Sequence, residues 1–187
     1  AGSLPLWNPS EFSGFPWLAT GQAGILYPPN WIAALLPPVP AMTVVVLSTY
    51  LIAGLGTYRL ARHLGASPPA AVVGGYTYAL SGFMVAHLGH TPMVNAAAWL
   101  PWLFLAVEHL RGRMRWPWFA AAAGIVALQI AAGHFLVPAY AGLAVAIYVA
   151  VAGGEVPGWR ARLAWVGRVA LAGMLGFVGK NIDAAVI

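Results

Sequence analysis

All eight arginines of this chain fall in three short clusters, and each cluster separates two long apolar runs. Arg59 and Arg62 form the first, Arg111, Arg113 and Arg115 the second, and Arg160, Arg162 and Arg168 the third. The alternate connections, near residues 87–92 and 133–135, hold no Arg or Lys. This is the pattern of a chain that crosses a bilayer repeatedly and keeps its cationic loops in the cytoplasm. Composition agrees: 61% of the 187 residues are hydrophobic and 7% charged, where a soluble domain carries roughly a quarter charged residues. Too little polar material remains to cover a water-facing surface, so lipid is the solvent that fits. The net charge of +5 does not point to nucleic acid. The guanidiniums gather at helix ends, where anionic headgroups lie, and no basic stripe interleaved with aromatics is present. Cysteine is absent, which excludes disulfides, thiolate metal sites and a cysteine nucleophile.

The fold class is therefore all-α, a polytopic transmembrane bundle of about six spans. The apolar runs place them near 40–58, 69–86, 93–109, 117–132, 136–152 and 164–179. Each falls somewhat below the roughly 20 residues that fill a bilayer core, and Trp31, Trp99, Trp116, Trp118 and Trp165 complete the spans at the interfaces. The run Ala120–Ala123 with Gly124, and the glycines at 173, 176 and 179, offer flat faces for close helix packing. Loops 59–68, 110–116 and 153–163 lie in the cytoplasm on this reading, and the segment before the first span lies outside. A start on the outer face, without an initiator Met or a signal peptide, reads as a cut through a longer protein, and the carboxyl end reads the same way.

Residues 1–38 form the first domain and 39–187 the second. Prolines at 5, 9, 16, 28 and 29 bar continuous helix from the first. Its density of Pro and Trp suits an extracytoplasmic loop on the membrane surface. Trp31 to Leu36 reads as a short interfacial helix stopped by Pro37-Pro38.

Several motifs in this order resemble one family. They are Pro5-Leu6-Trp7-Asn8-Pro9, Phe12-Ser13-Gly14-Phe15-Pro16, Gln22, and Tyr27-Pro28-Pro29 in the loop. Tyr58-Arg59-Leu60-Ala61-Arg62, Ser81-Gly82-Phe83, His90, Ala98-Trp99-Leu100-Pro101 and Gly133-His134 follow. Together they resemble the YfhO-like bacterial polytopic membrane proteins over residues 4 to 150, and the Pro-Leu-Trp-Asn-Pro run is the most specific part. The resemblance implies a glycosyltransferase of the GT-C type in the bacterial cytoplasmic membrane, moving a sugar from a polyprenyl-phosphate carrier on the outer face. It also implies an acidic catalytic residue soon after a first helix, upstream of this chain. Glu11 is the acidic residue in the loop, at a position where the family more often has a neutral one, so it inherits no catalytic role.

Such a site needs a group that orients an acceptor hydroxyl and cationic or hydrogen-bonding groups for the departing phosphate. His90 and His134 fall on the outer side, as does His87, and Trp7, Asn8 and Gln22 lie in the loop. Trp7, Asn8, Gln22, His90 and His134 are the substrate-binding candidates. The bland alternatives are interfacial caps for the histidines and a self-packed lid for the loop residues. No cofactor or metal is expected. Haem or chlorophyll between His87 and His134, or near His63 and His109, is a weaker alternative, and zinc on His87, His90 and His134 weaker still. Asn95 and Gln129 read as amides hydrogen-bonding between helices, with a place on a substrate path as the weaker alternative. One further class stays open, a non-catalytic subunit packing against other membrane proteins, and the sequence argues against another, a transporter. The latter would show discontinuous helices or charged midplane residues, neither of which the sequence displays.

Overall fold

The computed structural model describes Gly14, residues 24–33 and residues 35–185. Among them the chain is helical throughout, without strands. In order come α1 (Pro28–Ala33), α2 (Pro38–His63), α3 (Pro68–Ala79), α4 (Gly82–Ala86) and α5 (Thr91–Ala98). Then follow α6 (Leu100–His109), α7 (Trp116–Ala131), α8 (Leu136–Ala152), a 3₁₀ turn at Gly153–Glu155, and α9 (Trp159–Ala185). Prolines stand at the first or second position of α2, α3, α5, α6 and α7, where the missing N–H breaks no bond and the fixed φ suits a helix start.

Three stretches are long and apolar enough to cross a membrane: Pro38–His63, Leu136–Glu155 and Trp159–Val178. Less than a quarter of each is buried within the protein. The outward faces carry Leu47, Leu51 and Leu55 on α2, Leu143, Ile147 and Val151 on α8, and Met174 and Phe177 on α9. Apolar surface on this scale belongs in hydrocarbon.

Two of the expected spans are not single helices. The run 69–86 breaks at Leu80, and Ser81, in an extended conformation, restarts it by accepting from the Met84 N–H. The run 93–109 breaks at Trp99. Pro101 is the cause, since it has no N–H for the carbonyl of Ala97, four residues back. That carbonyl accepts instead from the Tyr78 hydroxyl on α3 at 2.8 Å. The neighbouring Ala96 carbonyl accepts from Gln129 Nε2 on α7 at 3.1 Å. Backbone freed inside a bilayer has to find such partners. The absence of discontinuous helices read from the sequence is thus corrected. Boundaries shift as well: α2 runs past 58 to His63, and α9 begins at Trp159, so Arg59, Arg62, Arg160 and Arg162 lie on helices rather than in loops.

Cross-contacts fix the directions. The pair α5–α6 runs parallel to α2, with Thr49 beside Asn95 and His63 stacked on His109. The pair α3–α4 returns antiparallel to α2, with Gly75 against Gly54 and Met84 beside Tyr50. Helix α7 runs back along α5–α6, from Trp118 on His109 to Gln129 on Ala96. The main core sits between α6, α7, α8 and α9 around Leu103, Val107, Phe119, Val145 and Trp165. All three arginine clusters therefore share one end of the bundle: His63 meets His109 beside the second cluster, Arg111 binds Glu155 and the Ala152 carbonyl, and Arg168 binds the Arg111 carbonyl. At that end the Glu155 carboxylate beside Arg111, more than any other neighbour, raises the guanidinium pKa above its ordinary value.

Candidate functional site

At the opposite, arginine-free end lies a cavity of about 300 Å³. Its walls come from the turn before α1, from α1 itself, from the start of α2, from α5 and from the end of α7. One side is apolar, formed by Ala41, Met42 and Val45 of α2, and the other presents Asn30, Thr91 and Asn95.

Each polar group is held by its own local chemistry. Asn95 is 1% exposed, and its Oδ1 accepts the Thr49 hydroxyl in a short bond, leaving the amide donors as what it can offer a ligand. The one proton of the Thr49 hydroxyl is shared with the Val45 carbonyl, 2.8 Å away on the preceding turn, the usual back-bond partner of a helical threonine. Asn30 donates to the Gly24 carbonyl at 2.9 Å and so closes a tight turn. Gly24 has a positive φ of 59°, and a Cβ there would stand 2.8 Å from Asn30 Nδ2 and 3.3 Å from the Ala132 carbonyl. Only glycine fits both the backbone and the space.

That turn is clamped over the cavity. Tyr27 is fully buried with Ala96 and Ala132, and its hydroxyl accepts from Trp99 Nε1 at 3.0 Å. Burial raises the Tyr27 phenol above its ordinary pKa, so it stays neutral. Trp31 Nε1 donates to the Ile25 carbonyl at 2.6 Å. Helix α1 begins at Pro28 rather than at Trp31, three residues earlier than the sequence suggested.

Of the five candidates, Trp7, Asn8 and Gln22 lie outside the described residues. His90 is the exposed residue before α5, and His134 follows Gly133, whose φ is 95°. The two side chains do not line the cavity, yet Thr91, beside His90, and Ala132, two residues before His134, do. His134 keeps a buried Nδ1 without a hydrogen-bond partner among the described residues. His87 sits against the Phe83 ring, hydrogen-bonds the Phe83 carbonyl at 2.8 Å, and lies 6.2 Å from the His90 ring centre. Among the described residues no three metal-ligating side chains converge, so the zinc triad of His87, His90 and His134 is not assembled.

Sequence reasoning did not single out Asn30 and Thr91; it took Asn95 for an interhelical amide first and a substrate-path residue second, and the bond to Thr49 between α2 and α5 agrees with the first. Asn30 follows the quoted Tyr27-Pro28-Pro29 directly, and Thr91 follows His90, so adjacency to motif residues was the available signal. Gln129, which is 0% exposed, keeps Oε1 without a partner among the described residues. It sits one helical turn from Ala132, with its Nε2 on the Ala96 carbonyl. Comparison with family profiles, with curated proteins and with solved structures returns no match to this chain.

Proposed function

We propose that this chain is part of a membrane glycosyltransferase of the YfhO-like type, which takes a sugar from a polyprenyl-phosphate carrier on the outer face of a bacterial cytoplasmic membrane. The observation that supports it is the cavity at the arginine-free end, apolar on its α2 side and lined by amide and hydroxyl groups on the other. Such a two-sided pocket suits a sugar attached to a lipid, and its size is at the lower end of small-molecule sites, roughly 300–1,000 Å³. In this reading the chain makes six crossings, with α3–α4 and α5–α6 each serving as one interrupted crossing. Asn30, Thr91 and Asn95 bind sugar hydroxyls, and His90 and His134 lie close enough in the chain to meet the phosphate. Trp7, Asn8 and Gln22 complete the outer loop.

The test is sugar transfer by the full-length protein in vesicles, with a polyprenyl-phosphate sugar as donor. Asn95→Leu removes the amide at similar volume, and transfer is expected to fall by about a hundredfold, as when a catalytic-site hydrogen-bond donor is lost. Thr49→Val breaks the same interhelical bond but keeps the amide, and is expected to fall less than threefold. Equal losses in the two variants mean that Asn95 serves packing only. No transfer by the wild type supports the second reading, a non-catalytic subunit.

Sidedness has its own check. The chain has no cysteine, and a Cβ added at Gly112 meets nothing within 4 Å, so Gly112→Cys is a clean reporter. With the arginine-rich end in the cytoplasm, a membrane-impermeant thiol reagent labels this cysteine only after the cells are opened. Labelling in intact cells reverses the orientation and removes the proposed outer site.

A further inference from the structure

A second cavity, about 430 Å³, runs lengthwise between α8 and α9 in the arginine-rich half of the bundle. Gly142, Ala146 and Ala150 form one wall, Val166, Ala170 and Gly173 the other, and α6 and α7 make the floor. The path from Gly142 to Ala150 covers about 12 Å along the helix, most of the roughly 15 Å depth of one leaflet's hydrocarbon. A lining of Leu, Val, Ala and Gly side chains over that length suits a hydrocarbon chain.

Both walls run into the same arginine. One turn before Val166 on α9 stands Arg162, and one turn after Ala150 comes Gly154, whose carbonyl accepts from Arg162 Nη2 at 3.1 Å. Arg162 Nε donates to the Val156 carbonyl at 3.0 Å. Two of the five guanidinium donors are so engaged, the side chain is exposed, and among the described residues no carboxylate pairs with it. Arg160 lies two residues away in the same first turns of α9. An apolar slot of leaflet depth that ends on an exposed guanidinium matches one chemistry. The tail is hydrocarbon and the head carries a phosphate, which the planar fork of arginine receives well.

We propose that the groove between α8 and α9 holds one acyl chain of an anionic phospholipid, with the headgroup phosphate on Arg162. The site lies at the opposite end from the proposed sugar cavity and is independent of it. Native mass spectrometry of the detergent-purified full-length protein tests it, with phosphatidylglycerol and phosphatidylcholine of identical acyl chains as probes. One phosphatidylglycerol is expected to be retained about tenfold better than phosphatidylcholine: both bring the phosphate, but the choline cation of the second offsets its charge and is repelled by Arg162 and Arg160. Arg162→Gln is expected to erase that preference while leaving weak retention of both lipids. Gly142→Leu fills the groove and removes both; an added Cβ at Gly142 meets nothing within 4 Å, and the same holds at Gly173, so Gly173→Leu replaces it if the first variant unfolds. Equal retention of the two lipids, or retention unchanged in Arg162→Gln or in the filled variant, overturns the proposal. So does a dimer that cross-links through a cysteine at position 146 and excludes lipid, because a second copy then occupies the groove.

Discussion

Trp165→Ala is expected to lower stability by about 3 kcal/mol, the lower end of the range for removing a buried tryptophan. The lower end applies because the unfolded side chain rests in lipid rather than water, which removes most of the transfer penalty and leaves the cavity and the lost contacts. Trp165 is fully buried, with 0% exposure. Its indole donates at 3.0 Å to the carbonyl of Val107, in the last turn of α6, where helix carbonyls lack their own donors. The Arg111 guanidinium lies 5.3 Å from its ring, and Tyr148 meets it edge-on at 6.5 Å. One side chain thus joins α6, α8 and α9 at the arginine-rich end. Trp165→Phe keeps most of the volume and loses the hydrogen bond, and should cost about 1 kcal/mol. Denaturation in mixed micelles, followed by circular dichroism, measures both. An alanine variant no less stable than the phenylalanine one would show that α9 is held elsewhere, at its contact with α7.

The second large effect separates two glycines that look alike in the sequence. Helices α2 and α3 cross where Gly54 meets Gly75. A Cβ added at Gly75 would stand 2.8 Å from the Gly54 carbonyl oxygen, which is backbone and cannot swing aside. A Cβ at Gly54 would lie 3.6 Å from the Gly75 oxygen, an ordinary contact. Gly75→Ala is therefore expected to destabilise by about 2 kcal/mol, within the range for overpacked sites. Gly54→Ala should be neutral to stabilising by up to about 1 kcal/mol, because alanine favours helix over glycine by about that much. The same denaturation assay decides, and comparable losses at both positions would show that the crossing is looser than its geometry.

Much of the class was legible beforehand. Periodic apolar runs and clustered arginines are one-dimensional signals, because lipid solvates side chains along each helix and headgroups bind cations at its ends. Three helices of sufficient length, and arginine clusters gathered at one end, follow from that. The interruptions at Leu80 and Trp99 were less legible. Pro101 was visible, but a proline at the start of a span and one inside it look the same until a neighbour, here Tyr78, is seen satisfying the freed carbonyl.

The candidate site divides in the same way. His90 and His134 were found as polar residues at apolar boundaries, and each lies within two residues of a cavity wall. Asn30 and Thr91 are ordinary polar residues in the sequence. They come to line one cavity because the turn at Gly24 folds over α5 and α7 and is fastened there by Tyr27 and Trp99, which are separated by 72 positions.

From the order of residues alone came the solvent, the helical class and the end of each helix that carries positive charge, since each depends on a local run of side chains. Which carbonyl needs a partner, which glycine admits no Cβ, and where two cavities open are facts about distances between helices far apart in the chain. Those distances are set when the helices pack, and no local pattern encodes them.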